Sequence, residues 1–160
     1  MSFAPVSLQR VAIVPRAGAW RGRFASRELP AEEVEALVAA ARVAPSADNL
    51  QTWRFVTVRS EETKARLARA VRGDVARAVE HAPLAMVATG VRAMVTRARR
   101  EQPFVMIDVP IAVVHVLLQA HELGLACAWT LDSDEAAIRD ALSIPQDVRV
   151  IAVLALGWPA

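Results

Sequence analysis

The chain of 160 residues has no tyrosine and only one cysteine. Each scarcity excludes something. A single thiol, Cys127, cannot close an intrachain disulfide, so the fold must stand without cross-links, and a reducing compartment is expected. Cys127 lies in an apolar run with no basic neighbour to favour a thiolate, and is read as a buried, inert thiol rather than a nucleophile. No Cys/His set has metal-ligand spacing, and no Gly-x-Ser-x-Gly elbow presents a serine nucleophile. His115 and Asp108 share a helix stripe but lie two turns apart, about 10 Å by helical rise, too far for a direct pair. The three histidines are therefore expected as polar surface or interface residues.

Charge of one sign is also scarce. Nineteen basic residues face 17 acidic ones for a formal net charge of +2, too small to argue for nucleic acid. Lys64 is the only lysine, so nearly every positive charge is an arginine, the better bidentate binder of phosphate. The N-terminus has no apolar stretch with a cleavage site, and no run of about 18 uncharged apolar residues occurs. A soluble cytoplasmic protein without a membrane partner is expected.

What the chain has is aliphatic bulk: 54% hydrophobic but only 5% aromatic. That exceeds the usual apolar share of about 45–50%, and a second copy of the chain is expected to cover the excess. At this length one domain, residues 1–160, can bury roughly 70% of its unfolded surface. Residues 1–23 read as irregular, although 11–14 can form a short strand.

The pattern of periods and breakers then gives an element order. Pro30, Glu32 and Glu33 suit a helix start, and Val34, Leu37, Val38 and Ala41 mark one face of a helix ending before Pro45. Residues 53–58 alternate as a strand; Ser60 caps a helix to about Arg72, closed by Gly73. A short helix over 75–81 leads into a buried strand at 82–89. Residues 91–103 read as a solvated connection or short helix. From Ile107 to Leu123 runs a helix so apolar that burial around most of its circumference is expected, as the centre of a domain or of a dimer. Gly124 ends it before a strand at 125–131. Asp132 with Glu135, or else Ser133, caps a helix to about Leu142, closed by Pro145, and 148–156 forms a last strand. Helices set around a central sheet make the fold α+β.

Between the first helix and first strand lies Pro45-Ser46-Ala47-Asp48-Asn49-Leu50-Gln51-Thr52-Trp53. Proline stops the helix, and Ser46, Asp48 and Asn49 turn the chain while offering hydrogen bonds. A shaped loop bracketed by rigid elements suits a ligand; a self-satisfied turn is the plainer alternative.

Pro45, Ser46, Asn49, Gln51 and Trp53 match an Ala-Pro-Ser-x-x-Asn-x-Gln-Pro-Trp-like motif, with Thr52 at the second proline, and on this motif the chain resembles the flavin-dependent nitroreductase family. The likeness continues through Asp108, the run Leu118 to Leu125, Trp129, Ile144-Pro145 and Leu156-Gly157-Trp158-Pro159, and so covers roughly residues 24–160. It implies a nitroreductase-like α+β fold with a central, mostly antiparallel sheet surrounded by helices, in an intertwined homodimer holding FMN at the subunit interface. It further implies an FMN-dependent oxidoreductase that takes hydride from NAD(P)H and reduces a small-molecule acceptor: a nitroaromatic, a quinone or a similar unsaturated compound. By position, Pro45 would pack on the flavin ring, Ser46 and Asn49 would hydrogen-bond to it, and Leu131 would offer its backbone N–H. Residues 90–106 would shape the acceptor pocket.

Departures cluster on the phosphate side. The family's Arg-Arg-Ser-x-Arg-x-Phe run falls on Gly18-Ala19-Trp20-Arg21-Gly22-Arg23-Phe24, so Arg16, Arg21 or Arg23 would reach the phosphate from shifted positions; solvated arginines are the alternative. Leu131 and Asp132 replace a glycine pair, and the basic arm that commonly follows the Gly-Trp-Pro turn is not in the sequence. A second reading is therefore a nitroreductase-fold protein that binds FMN weakly or not at all and serves as a partner subunit.

Overall fold

Pro30 opens the first helix as its fixed φ requires, with Glu32 and Glu33 in the first turn and Arg42 in the last, each complementing the helix dipole. This is α1 (Ala31–Arg42). The protein is described from a computed structural model covering residues 20–91 and 104–160. After α1 come β1 (Trp53–Val58), α2 (Glu61–Ala70), α3 (Val75–His81), β2 (Leu84–Val91), α4 (Val105–Glu122), β3 (Ala126–Thr130), α5 (Glu135–Leu142) and β4 (Val148–Gly157). The Ser60 hydroxyl caps α2 by accepting from the Thr63 N–H.

The four strands lie in the order β1-β2-β4-β3, and every pair is antiparallel. The expected α+β architecture is borne out, with the sheet held between two helical layers. Side chains alternate across the sheet, so Leu84, Met86, Leu154 and Leu156 pack toward α1 and α4. Ala85, Val87, Val153 and Ala155 face the layer of α2, α3 and α5. The two inner strands are buried on both faces, which is why β2 and β4 read as continuous apolar runs rather than alternating ones.

Five details differ from the sequence reading. Helix α4 begins at Val105 rather than Ile107. It is not buried around most of its circumference: Val109, Ala112, Val113, Val116 and Ala120 are in the core, but Met106, Ile107, Val114 and Leu118 remain 45%, 45%, 46% and 38% exposed. An apolar circumference does not by itself say how much of it one chain covers. The cap of α5 is Asp134, whose carboxylate accepts from the Ala136 and Ala137 N–H groups at 3.0 and 3.1 Å, rather than Asp132 or Ser133. Ser143, left-handed at φ 54°, ends α5 before Pro145 is reached, and Gly73 (φ 71°) turns the chain into α3 after α2 has already ended.

The only lysine is structural. Lys64 is 2% exposed, and its ammonium donates to the Ala82 carbonyl at 2.6 Å and to Glu61 Oε1 at 2.7 Å. It thereby joins α2 to the residue that closes α3. Lys64→Met fills the stem's volume but orphans the buried carbonyl, and is expected to cost about 1–3 kcal/mol. Glu61→Ala should cost under about 1 kcal/mol, because Glu61 is exposed. Urea unfolding of the two variants checks the difference; equal losses would place the stabilisation in the ion pair instead.

Candidate functional site

The loop after α1 is as shaped as its residues suggest. Asp48, Asn49 and Gln51 take left-handed φ values of 50°, 56° and 48°. Asp and Asn tolerate that region better than most residues, yet such positions cost about 1–3 kcal/mol each unless the surroundings impose them. Several groups impose them here. The Ser46 hydroxyl accepts the Gln51 N–H at 3.0 Å, and Asn49 Oδ1 accepts from Gln51 Nε2 at 3.2 Å. Below the loop, the buried Asp108 carboxylate in the first turn of α4 takes the Ala47 N–H on both oxygens, at 3.2 and 3.3 Å. The Val91 N–H donates to the Thr52 carbonyl and fixes the loop's far end to β2. Pro45 and Asn49 stay exposed on this frame, and the Asn49 side-chain amide, donating to nothing among the described residues, can serve a ligand. From sequence Asp108 was read as part of a polar stripe and as one position of the family likeness, but not as the anchor of this loop.

A second group assembles elsewhere. Residues 23–25 run beside the chain's last residues: Ala25 N–H donates to the Trp158 carbonyl, Ala160 N–H to the Arg23 carbonyl, and Phe24 bridges Pro159. The Trp20 N–H bonds the Cys127 carbonyl on the outer edge of β3 at 3.0 Å. The Trp20 indole lies over Gly22 so closely that a Cβ there would stand 2.4 Å from the ring. Trp20 and Gly22 are thus a matched pair occupying two of the divergent positions. Between this segment and α3 opens a cleft of about 1250 Å³ lined by Arg21, Arg23, Arg77 and His81. Arg21 also pairs with Asp74 at 3.2 Å, with both side chains in solvent.

Leu131 belongs with this second group. It is 56% exposed as the chain leaves β3. The loop it opens is tied to the turn after α2 by Arg72 N–H to the Asp132 carbonyl and Asp134 N–H to the Ala70 carbonyl. Gly73 and Asp74, next in the chain, line the cleft. Glu135 pins the other side of that loop, accepting from Arg149, Arg139 and the Val150 N–H. Burial raises the Glu135 carboxyl, but the Arg149 and Val150 hydrogen bonds and the two guanidinium charges outweigh it and hold the group below the ordinary carboxylate value.

The candidates therefore divide into two sets. Pro45, Ser46 and Asn49 stand where Trp53 pairs with Gly90, on the β1 edge of the sheet. Trp20 and Leu131 adjoin β3, three strand spacings or about 14 Å across, so Arg21 starts from that edge, while Arg23 lies beside the residues that follow β4. The cleft's inner end, at Phe24 and His81, lies beside Leu84, six residues from Gly90 along β2 or about 20 Å. Among the described residues no hydrogen bond and no shared cleft joins the two sets. Arg16, the possible strand at 11–14 and the connection at 92–103 fall outside the described residues. Elsewhere, burial pushes the Cys127 thiol up, consistent with an inert group. The His115 ring meets the Ile111 carbonyl within α4.

This fold is found among solved oxidoreductases. A nitroreductase family protein from Clostridium novyi NT superposes with a TM-score of 0.82 at 27% identity, over 86% of this chain and 78% of that one. An FMN-dependent nitroreductase of Clostridium difficile R20291 gives 0.78 at 26% identity, over 91% and 84%. In sequence, a protein of Methanothermobacter thermautotrophicus, provisionally named an NADH dehydrogenase/NAD(P)H nitroreductase, is 30% identical over 142 residues, covering 86% of this chain and 71% of its own. The model of the Nitroreductase family matches residues 19–158. The chain belongs to the nitroreductase family and is an oxidoreductase.

Replacing Asp108 tests the frame of the loop. Asp108→Leu strands the Ala47 N–H and releases the left-handed turn, with an expected loss of about 1–3 kcal/mol and faster hydrogen exchange at Ala47. Asp108→Asn, which keeps one acceptor oxygen, should lie between that variant and the parent. Unchanged exchange at Ala47 in Asp108→Leu would show that the loop holds itself.

Proposed function

We propose that the protein is a homodimeric, FMN-dependent NAD(P)H oxidoreductase that reduces nitroaromatic, quinone or similar unsaturated acceptors. The observation that carries this reading is the Pro45–Gln51 loop, whose exposed polar groups are held in strained conformations by a buried carboxylate. Such preorganised donors and acceptors beside an apolar surface are what a flat heteroaromatic ring requires. In this site Pro45 packs on the ring, Ser46 and Asn49 hydrogen-bond its polar edge, Leu131 offers its backbone N–H, and Arg21 and Arg23, with Arg16, face the phosphate. FMN supplies the two-electron chemistry linking NAD(P)H to the acceptor. Among relatives, one is described as FMN-dependent and others carry NAD(P)H in their names.

Two observations support the homodimer. The two residue sets lie apart on the sheet, so a site using both draws one set from each of two chains. Ile107, Ile111, Val114 and Leu118 also fall at i, i+4, i+7 and i+11 on α4, an apolar line that three exposed members continue away from the core. Burying such a line against a second copy would remove the excess apolar surface.

The alternative, a partner subunit with weak or no FMN binding, draws on the Trp20–Gly22 pair standing in the phosphate-binding run. Purified protein decides between the two. The enzyme reading expects a yellow dimer with one FMN per chain, and Asn49→Ala that retains less FMN. Colourless protein that FMN titration does not saturate would sink it, and a monomer at micromolar concentration would remove the shared site.

A further inference from the structure

We infer that α3 supplies the phosphate seat of the flavin site: Arg77, with His81 one turn further along, joins Arg21 and Arg23 to hold a terminal phosphomonoester in the cleft between α3 and residues 20–26. The inference rests on the FMN reading and deepens it.

Arg77 and His81 are four residues apart and so share one face of α3, and both line the cleft. Val79 lies between them on the opposite, fully buried side, which fixes the helix against the sheet and keeps the basic face outward. Arg23 and Arg77 have no acidic partner among the described residues. Among the described residues Arg21 is held only by the exposed Asp74, a contact worth under about 1 kcal/mol that an entering dianion can outcompete. The Trp20 indole N–H, from a ring that also lines the cleft, is buried without an acceptor, and such a donor calls for a partner not yet in place. Guanidinium groups converging from a loop and a helix suit the three acceptor oxygens of a phosphomonoester. The seat also accounts for the divergent run, because Trp20 and Gly22 fill each other's space while cations arrive from the neighbouring helix.

Equilibrium binding of FMN against riboflavin, followed by flavin fluorescence, tests this without turnover. The parent should prefer FMN, and Arg77→Gln should weaken FMN about ten-fold while leaving riboflavin unchanged. Arg69→Ala, which removes an exposed arginine of α2 outside the cleft, should alter neither. Equal losses for FMN and riboflavin, or no loss, would overturn the proposal. So would an Arg77→Gln effect confined to NADPH and absent with NADH, because the cleft would then serve the dinucleotide's extra phosphate. If the parent binds neither flavin, the FMN reading itself fails, and calorimetry with inorganic phosphate decides the seat. Heat present in the parent and absent in Arg77→Gln keeps it; no heat in either removes it.

Discussion

The seating of α4 on the sheet is the constraint from which the rest follows. This helix touches all four strands, and its first turn stands on β2 at Gly90, where a Cβ would lie 2.0 Å from Val105 Cγ2 and 2.9 Å from Val109 Cγ2. Any side chain there would force Val105, Val109 or the helix that carries them to shift, so the glycine lets the first turn sit close on the sheet. That turn carries Asp108 under the Pro45–Gln51 loop. The same seating turns Ile107, Val114 and Leu118 away from the core. One packing contact thus places the loop's anchor and the apolar line on the outer surface together.

Much of the fold was legible because its signals are local. Pro30 with its acidic turn, the Ser60 cap, and the alternation from Trp53 to Val58 each act within a few residues, and each element appears where they put it. The misplacements are where distant packing decides. Asp132, Ser133 and Asp134 are all competent caps, and Asp134 is selected because the Asp132 carbonyl and the Asp134 N–H are committed to α2 and its following turn. Nothing near Lys64 in sequence marks it for burial, because the closing carbonyl of α3 reaches it only through tertiary structure.

The candidate loop was marked by its motif, and its position relative to the candidate cations was not. Pro45, Ser46 and Asn49 sit in sequence with the elements that frame them, so spacing alone marked the loop. No spacing could have joined Arg21 and Arg23 to Arg77, more than fifty residues away. Nor could it show that these cations stand apart from the loop, since strand order is set by pairing rather than by chain order. A motif records which residues are used, whereas the topology determines whether one chain can use them together.

The two edges also differ in rigidity, which bears on how such a site can diverge. Around the loop, left-handed backbone is held by a buried carboxylate and by hydrogen bonds among neighbouring residues, so a change at one group disturbs the others. Around the cleft, the guanidinium groups are exposed, long and individually weakly held. A phosphate asks for charge within reach, and flexible arginines deliver it from several backbone positions. A ring edge asks for particular atoms at fixed places, which only a rigid loop delivers. In the proposed flavin site the cleft side can therefore hold Trp20 and Gly22 within its run and still present arginines, whereas the loop needs its polar positions, which Thr52 at the second proline leaves unchanged. If the proposed site is right, the half that matches the family motif is the half whose ligand atoms demand the greater precision.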